Sequence, residues 1–101
     1  MKIRVLDEAQ QDLEEGAEFY DNQQRGLGVY YLDSLLADIE SLKLYAGTHI
    51  IVNGYFRLLS KTFPYAIYYL MNDDFIDVYA ILDCRRSPDK TIKQLSQRLT
   101  G

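Results

Sequence analysis

A chain of 101 residues and 11.8 kDa has room for one modest core, which excludes a catalytic module standing beside a separate recognition module. With 48% apolar and 26% charged residues it is neither a disordered tail nor a disulfide scaffold, and its single cysteine, Cys84, can form neither an internal disulfide nor a multi-cysteine metal site. The net charge of −4 divides into ten carboxylates against three cations in residues 1–40 (−7) and five against eight in residues 41–101 (+3), so the whole-molecule field does not draw in nucleic acid, although a basic patch on the second half could hold phosphate.

Lys2-Ile3-Arg4-Val5 alternates polar and apolar and predicts a short strand. Asp7, with Gln10 three positions on, reads as the cap of a helix. Along that helix Ala9, Leu13, Gly16, Ala17 and Tyr20 form one apolar stripe, with Asp12, Glu14, Glu15, Glu18 and Asp21 on the other side. Asn22 to Gly26 has turn chemistry, and Gly26 or Gly28 can take positive φ. A second helix from Leu27 to about Tyr45 carries Leu32, Leu35, Leu36, Ile39 and Leu42 at the same spacing, so the two should make an antiparallel helical hairpin.

Beyond Gly47 the period changes. Residues 55–59, 65–71 and 75–82 are rich in aromatic and β-branched side chains, with a turn at Asn72-Asp73-Asp74, and predict an antiparallel meander. In the last run Ile76, Val78, Ala80 and Leu82 should share one face and Asp77, Tyr79, Ile81 and Asp83 the other. A short polar helix over 89–99, apolar only at Ile92, Leu95 and Leu99, closes the chain and should dock weakly or not at all. The expected fold class is α+β, a two-layer domain over residues 1–101. An N-terminal strand and a helical hairpin pack on one face of an antiparallel sheet of about four strands, with a short C-terminal helix.

No apolar run approaches the roughly 18 residues of a spanning helix, and the first residues have no signal-peptide core, so a cytoplasmic protein without a membrane partner is expected. Gly-rich phosphate loops, His-Glu-x-x-His, Cys-x-x-Cys and Gly-x-Ser-x-Gly are missing, and neither a metal nor a cofactor is expected. His49 reads as a polar loop residue and Cys84 as a small buried hydrophobe on the last strand. Arg57 interrupts an apolar strand and should project, with Tyr55 and Leu59, from the face the helices leave bare. Arg85 shares the parity of Tyr79 and Asp83 and should emerge on that same face. Two guanidiniums there could grip a phosphate or carboxylate, or each could pair internally with Asp77 or Asp83.

Glu18-Phe19-Tyr20-Asp21, Gln24-Arg25-Gly26-Leu27-Gly28, Phe56-Arg57, Phe63-Pro64-Tyr65-Ala66-Ile67-Tyr68-Tyr69 and Ala80-Ile81-Leu82-Asp83-Cys84-Arg85-Arg86-Ser87-Pro88 follow one another in an order that resembles the RelE/ParE toxin superfamily of type II toxin–antitoxin modules, most closely its plasmid-stabilisation branch. The resemblance runs from about residue 3 to 90 and implies a toxin that arrests growth and is silenced by a cognate antitoxin. It allows a homodimer or a toxin–antitoxin heterotetramer. RelE-like members cleave messenger RNA on the ribosome, and Arg57 and Arg85 match positions where that branch places arginines, which makes them the catalytic candidates under that reading. Many relatives carry histidine before the paired arginines, where this chain has Cys84, and residues 91–101 lack Tyr and His, so the acid–base set is incomplete. ParE-like members bind DNA gyrase, a protein contact that needs no nuclease residues, and that reading fits an acidic chain better. A degenerate toxin that only binds antitoxin is the further alternative. By the same resemblance, Arg57, Lys61, Arg85 and Arg86 are the candidate target-binding residues. Tyr30, Tyr31 and Tyr55 are the candidate antitoxin-binding residues, at the groove beside the hairpin and the exposed sheet edge. Acidic antitoxin segments would lean towards the +3 half.

Overall fold

The computed structural model describes residues 1–100. Strand β1 (Lys2–Val5) leads into helix α1 (Asp7–Gln23), then α2 (Leu27–Glu40), the single turn α3 (Leu42–Tyr45), the four strands β2 (Ile51–Val52), β3 (Tyr55–Leu59), β4 (Tyr65–Asn72) and β5 (Phe75–Asp83), and helix α4 (Pro88–Thr100). None of these helices is long and apolar enough to cross a membrane.

Helix α1 buries Ala9, Leu13, Gly16 and Tyr20 as the spacing predicts, and also Asp12, which the polar side was expected to keep. Asp7 is not the cap. Leu6 occupies the cap position in extended conformation, because its N–H still donates to Val78 O at 3.0 Å and the sheet runs right up to the helix. Gln10 instead donates from Nε2 to Val5 O at 2.9 Å. At the hairpin turn Gly26 has φ +90°, a left-handed geometry that costs other residues about 1 kcal/mol or more. Asp21 Oδ1 accepts the N–H groups of Gly26 (2.9 Å) and Gly28 (3.3 Å), placing a carboxylate at the positive start of α2. The second helix stops at Glu40 rather than near Tyr45. The Ser41 hydroxyl bonds back to Asp38 O, a competition with the helical ladder that bends helices, and Leu42 turns into the core.

The sheet is five-stranded and mixed, in the order β1-β5-β4-β3-β2, not four-stranded and antiparallel. β1 lies parallel to β5, because the two helices between β1 and the meander are a crossover long enough to reverse direction. The extra strand, β2, has only two residues, too few to show a period in sequence. It joins β3 through Asn53-Gly54 with φ +53° and +84°, the two positive values of a type I′ hairpin turn.

One irregularity redistributes the last strand. Tyr68 faces Ala80 while Tyr69 faces Val78, leaving Tyr79 as the extra residue of a β-bulge. Alternation reverses there. Ile76 and Val78 join the core under the hairpin and so does Ile81, whereas Ala80 and Leu82 turn to the opposite face with Tyr55, Ala66 and Tyr68. The expected common face for Ile76, Val78, Ala80 and Leu82 is therefore corrected at its midpoint. The face opposite the hairpin is also not bare. α4 lies on it, with Leu95 wholly buried and the Tyr55 hydroxyl donating to Leu95 O at 2.8 Å. Cys84 falls just past β5, in the turn, and is exposed rather than buried.

Candidate functional site

The side chains that the sequence singles out are distributed by the bulge. Past it, Asp83 and Arg85 point to the hairpin side. Arg85 Nε and Nη2 donate to Asp83 Oδ1 (2.9 Å) and Oδ2 (2.7 Å), and Nη2 reaches the Tyr20 hydroxyl at 3.4 Å. The paired guanidinium holds the Asp83 carboxyl below the ordinary carboxylate range. Beneath them Tyr20, Tyr31, Phe63 and Tyr65 make an aromatic cluster with centroids 4.8–6.1 Å apart. Burial pushes the Tyr65 phenol up to about 12, with Asp83 adding to the shift. Burial raises Tyr31 further, and its hydroxyl has no hydrogen-bond partner among the described residues.

Arg57 lies on the other face of the sheet. It is half-buried opposite Tyr68, and its Nε is buried without a hydrogen-bond partner among the described residues. Burial raises the phenol of Tyr68, desolvation by the surrounding residues raises the thiol of Cys84 although that residue is exposed, and the Arg57 charge pulls both back down. Arg57 and Tyr68 lie on one face and Arg85, Asp83 and Tyr20 on the other, with Cys84 between them, its thiol also raised by Asp83 and lowered by Arg85. The expectation that Arg57 and Arg85 share a face fails, because a one-residue bulge flips every later side chain. The internal pair foreseen for Arg85 with Asp83 is present. Asp77 pairs instead with Arg4, at 2.6 and 2.9 Å, and accepts from Asn72.

Of the remaining candidates, Arg86 is exposed and donates to Gln94 Oε1 at 2.7 Å. Lys61 is exposed in the β3–β4 loop, where its backbone N–H and the Ser60 hydroxyl are held by the buried carboxylate of Asp38 at 3.3 and 2.7 Å. Lys61 and Asp38 flank a shallow groove with Tyr30. Tyr30 is 54% exposed, its ring edge-on to Phe63 at 5.5 Å. Tyr31 and Tyr55 are both wholly buried, and neither presents a surface to a partner. Tyr31 occupies the inward position of α2, and Tyr55 is covered by α4. His49 is half-buried rather than a free loop residue, with Nδ1 hydrogen-bonded to the core hydroxyl of Tyr69, which also accepts Gly47 N–H at 3.0 Å.

Sequence reasoning misses the group that ties these parts together. Arg98 forms a two-pronged buried pair with Asp12, Nη1 to Oδ2 and Nη2 to Oδ1, and donates to Tyr79 O at 3.1 Å; Asp12 Oδ2 also accepts Ile81 N–H at 2.9 Å. β1 stops pairing at Val78, so these two side chains finish the hydrogen bonding of β5 beyond it and clamp α4 to α1 across the bulge. A signal was present. Asp12 lies within the stripe of Ala9, Leu13 and Gly16, and Arg98 lies three residues after Leu95 on α4's inward side. Beside the clamp a cleft of about 230 Å³ opens between α1 and the end of β5, lined by Glu15, Phe19, Tyr65, Asp83, Arg86 and Gln94.

Against known proteins, no family model matches the chain and no curated protein matches it. Among solved structures, a chain of the chromosomal ParDE TA system from P. aeruginosa matches with a TM-score of 0.73 at 15% identity, covering 80% of this chain and 92% of that one. The fold is RelE/ParE-like, as the ordered residues of the sequence imply.

Proposed function

We propose that this chain is the toxin of a type II toxin–antitoxin module, acting as one domain in the cytoplasm. In this reading it is ParE-like: it binds and inhibits a protein target such as DNA gyrase and is neutralised by a cognate antitoxin. The observation that carries the reading is the fold shared with a chain of a ParDE TA system over most of both chains. The ordered motifs of the sequence support it. So does the engagement of Arg85, whose guanidinium is paired with Asp83 and reaches Tyr20 on the hairpin side while Arg57 lies on the other face of the sheet. Exposed Tyr30 remains the candidate for antitoxin contact, whereas Tyr31 and Tyr55, both buried, do not. The RelE-like alternative, ribosome-dependent messenger-RNA cleavage, draws on a different observation, the unsatisfied Nε of Arg57 beside Tyr68.

Inducible expression of the chain alone, with growth, gyrase supercoiling and transcript integrity followed together, separates the readings. Arrest with inhibited supercoiling and intact transcripts is expected. Cleaved transcripts, with cleavage lost on Arg57→Ala, would replace the gyrase reading with the nuclease, and unimpaired growth would leave only antitoxin binding. Co-expression of the product of the adjacent reading frame should restore growth.

A further inference from the structure

A five-stranded open sheet has two edges, and this chain treats them differently. β1, at one edge, carries exposed Lys2 and Arg4, the charged protection that keeps sheet edges from pairing with other chains. β2, at the other, has no such charge and is shielded only by its two-residue length. The run 44–56 (LYAGTHIIVNGYF) contains no Lys, Arg, Asp or Glu, and Leu44, Tyr45, Ile50 and Ile51 within it are 81%, 57%, 60% and 66% exposed. Met71, 41% exposed, lies beside Gly47 in the same corner.

The backbone there is poised for a two-fold contact. In the β2–β3 hairpin Val52 pairs with Tyr55 across the turn, and Ile50 O accepts Arg57 N–H at 2.9 Å, so these residues point their polar groups at β3. Ile51, between them, turns its N–H and C=O away from β3, out of the sheet. A residue so placed can exchange both hydrogen bonds with its own copy across a two-fold axis, as an antiparallel pair does. Charge selects the same partner. Across a two-fold axis each residue meets its own copy, so any charge near the axis would face a like charge, and the charge-free run 44–56 sets no such pair.

We infer that the β2 edge is the interface of a homodimer in which Ile51 pairs with Ile51 of a second copy and joins the two sheets into one. Leu44, Tyr45 and Ile50 flank the axis and supply the apolar contact. This surface is separate from Tyr30 and Arg85 and adjoins Arg57 through the backbone bond to Ile50 O, and the inference does not depend on the toxin reading.

Sedimentation and light scattering of the full chain up to about 500 µM should give twice 11.8 kDa, and the Ile51 amide should exchange more slowly with deuterium as concentration rises. Ile51→Lys, which sets two like charges on the axis, and Ile51→Pro, which removes the outward N–H, should each return the monomer with the melting profile that the wild type has at low concentration. Val29→Lys, on the exposed side of α2, should leave the dimer intact. A wild-type chain that stays monomeric at the highest concentration, a dimer that survives Ile51→Lys, or one that Val29→Lys dissociates would overturn the proposal. If both Ile51 variants misfold, the concentration dependence of the wild-type Ile51 amide decides alone.

Discussion

Removing Asp12 tests the clamp that holds α4 on the sheet. Asp12 and Arg98 side chains are each 7% exposed, and the carboxylate receives two bonds from the guanidinium and one from Ile81 N–H. Asp12→Ala leaves a buried cation with only Glu8, 3.4 Å away and largely solvated, as a counter-charge. It also strands the Ile81 N–H at the bulge. Breaking one side of a buried ion pair costs about 3–5 kcal/mol. On a chain of this size each kcal/mol lowers the melting temperature by roughly 4–8 °C, so a fall of about 15 °C or more is expected. Urea titration monitored by circular dichroism measures the loss, and hydrogen exchange should show α4 opening first. The double variant Asp12→Leu/Arg98→Met, which exchanges the pair for apolar contacts, should recover most of it. A single-variant loss below about 1 kcal/mol would refute the reasoning, because it would mean that solvent reaches the pair and that α4 is not fastened through it.

The Tyr31 hydroxyl is buried without a partner among the described residues, so Tyr31→Phe should be neutral or stabilise by about 1 kcal/mol in urea titration; a clear loss would reveal a bond to that oxygen. A Cβ at Gly16 would stand 2.4 Å from the same oxygen and 2.5 Å from Cζ. Gly16→Ala should therefore cost about 1–3 kcal/mol, only part of it restored by adding Tyr31→Phe, and a neutral Gly16→Ala would show that the hairpin can spread. Arg4 holds the Asp77 carboxyl, and Arg85 the Asp83 carboxyl, below the ordinary value. A depressed folded pKa stabilises above the unfolded value of about 3.9 and is lost as pH falls through the folded one. Urea midpoints should thus hold from pH 7 to about 5 and decline below about 4, less steeply for Asp77→Asn. An identical acid limb in that variant would count against the pairing.

What was legible in the sequence was whatever depends on neighbours a few positions apart. The stripe of Ala9, Leu13, Gly16 and Tyr20 predicts α1, and the turn chemistry before Leu27 predicts where α2 begins. The three aromatic runs predict β3, β4 and β5 within a residue or two. These are periodicities of 3.6 and 2, set by local backbone geometry. The two-residue strand β2 lies below the length at which a period exists. The break at Ser41 comes from one side-chain hydrogen bond inside an otherwise unbroken apolar pattern.

The candidate site was legible as residue types and not as an arrangement. Arg57 and Arg85 stand out from the strand pattern, and Arg86 and Lys61 from the resemblance, yet which of them face each other depends on Tyr79 being squeezed out of register between Val78 and Ala80. No property of Tyr79 by itself announces a bulge. It arises where β5 parts from β1 and its edge is taken over by Asp12 and Arg98, residues 86 positions apart. Burial of Tyr55 and docking of α4 follow from the same long-range closure. The sequence by itself determined the elements and the family they resemble, because local sterics and hydrophobic spacing act over single turns. Only the tertiary structure decided which face each functional side chain occupies, because parity along a strand is a running count that one distant hydrogen-bonded contact can shift by one.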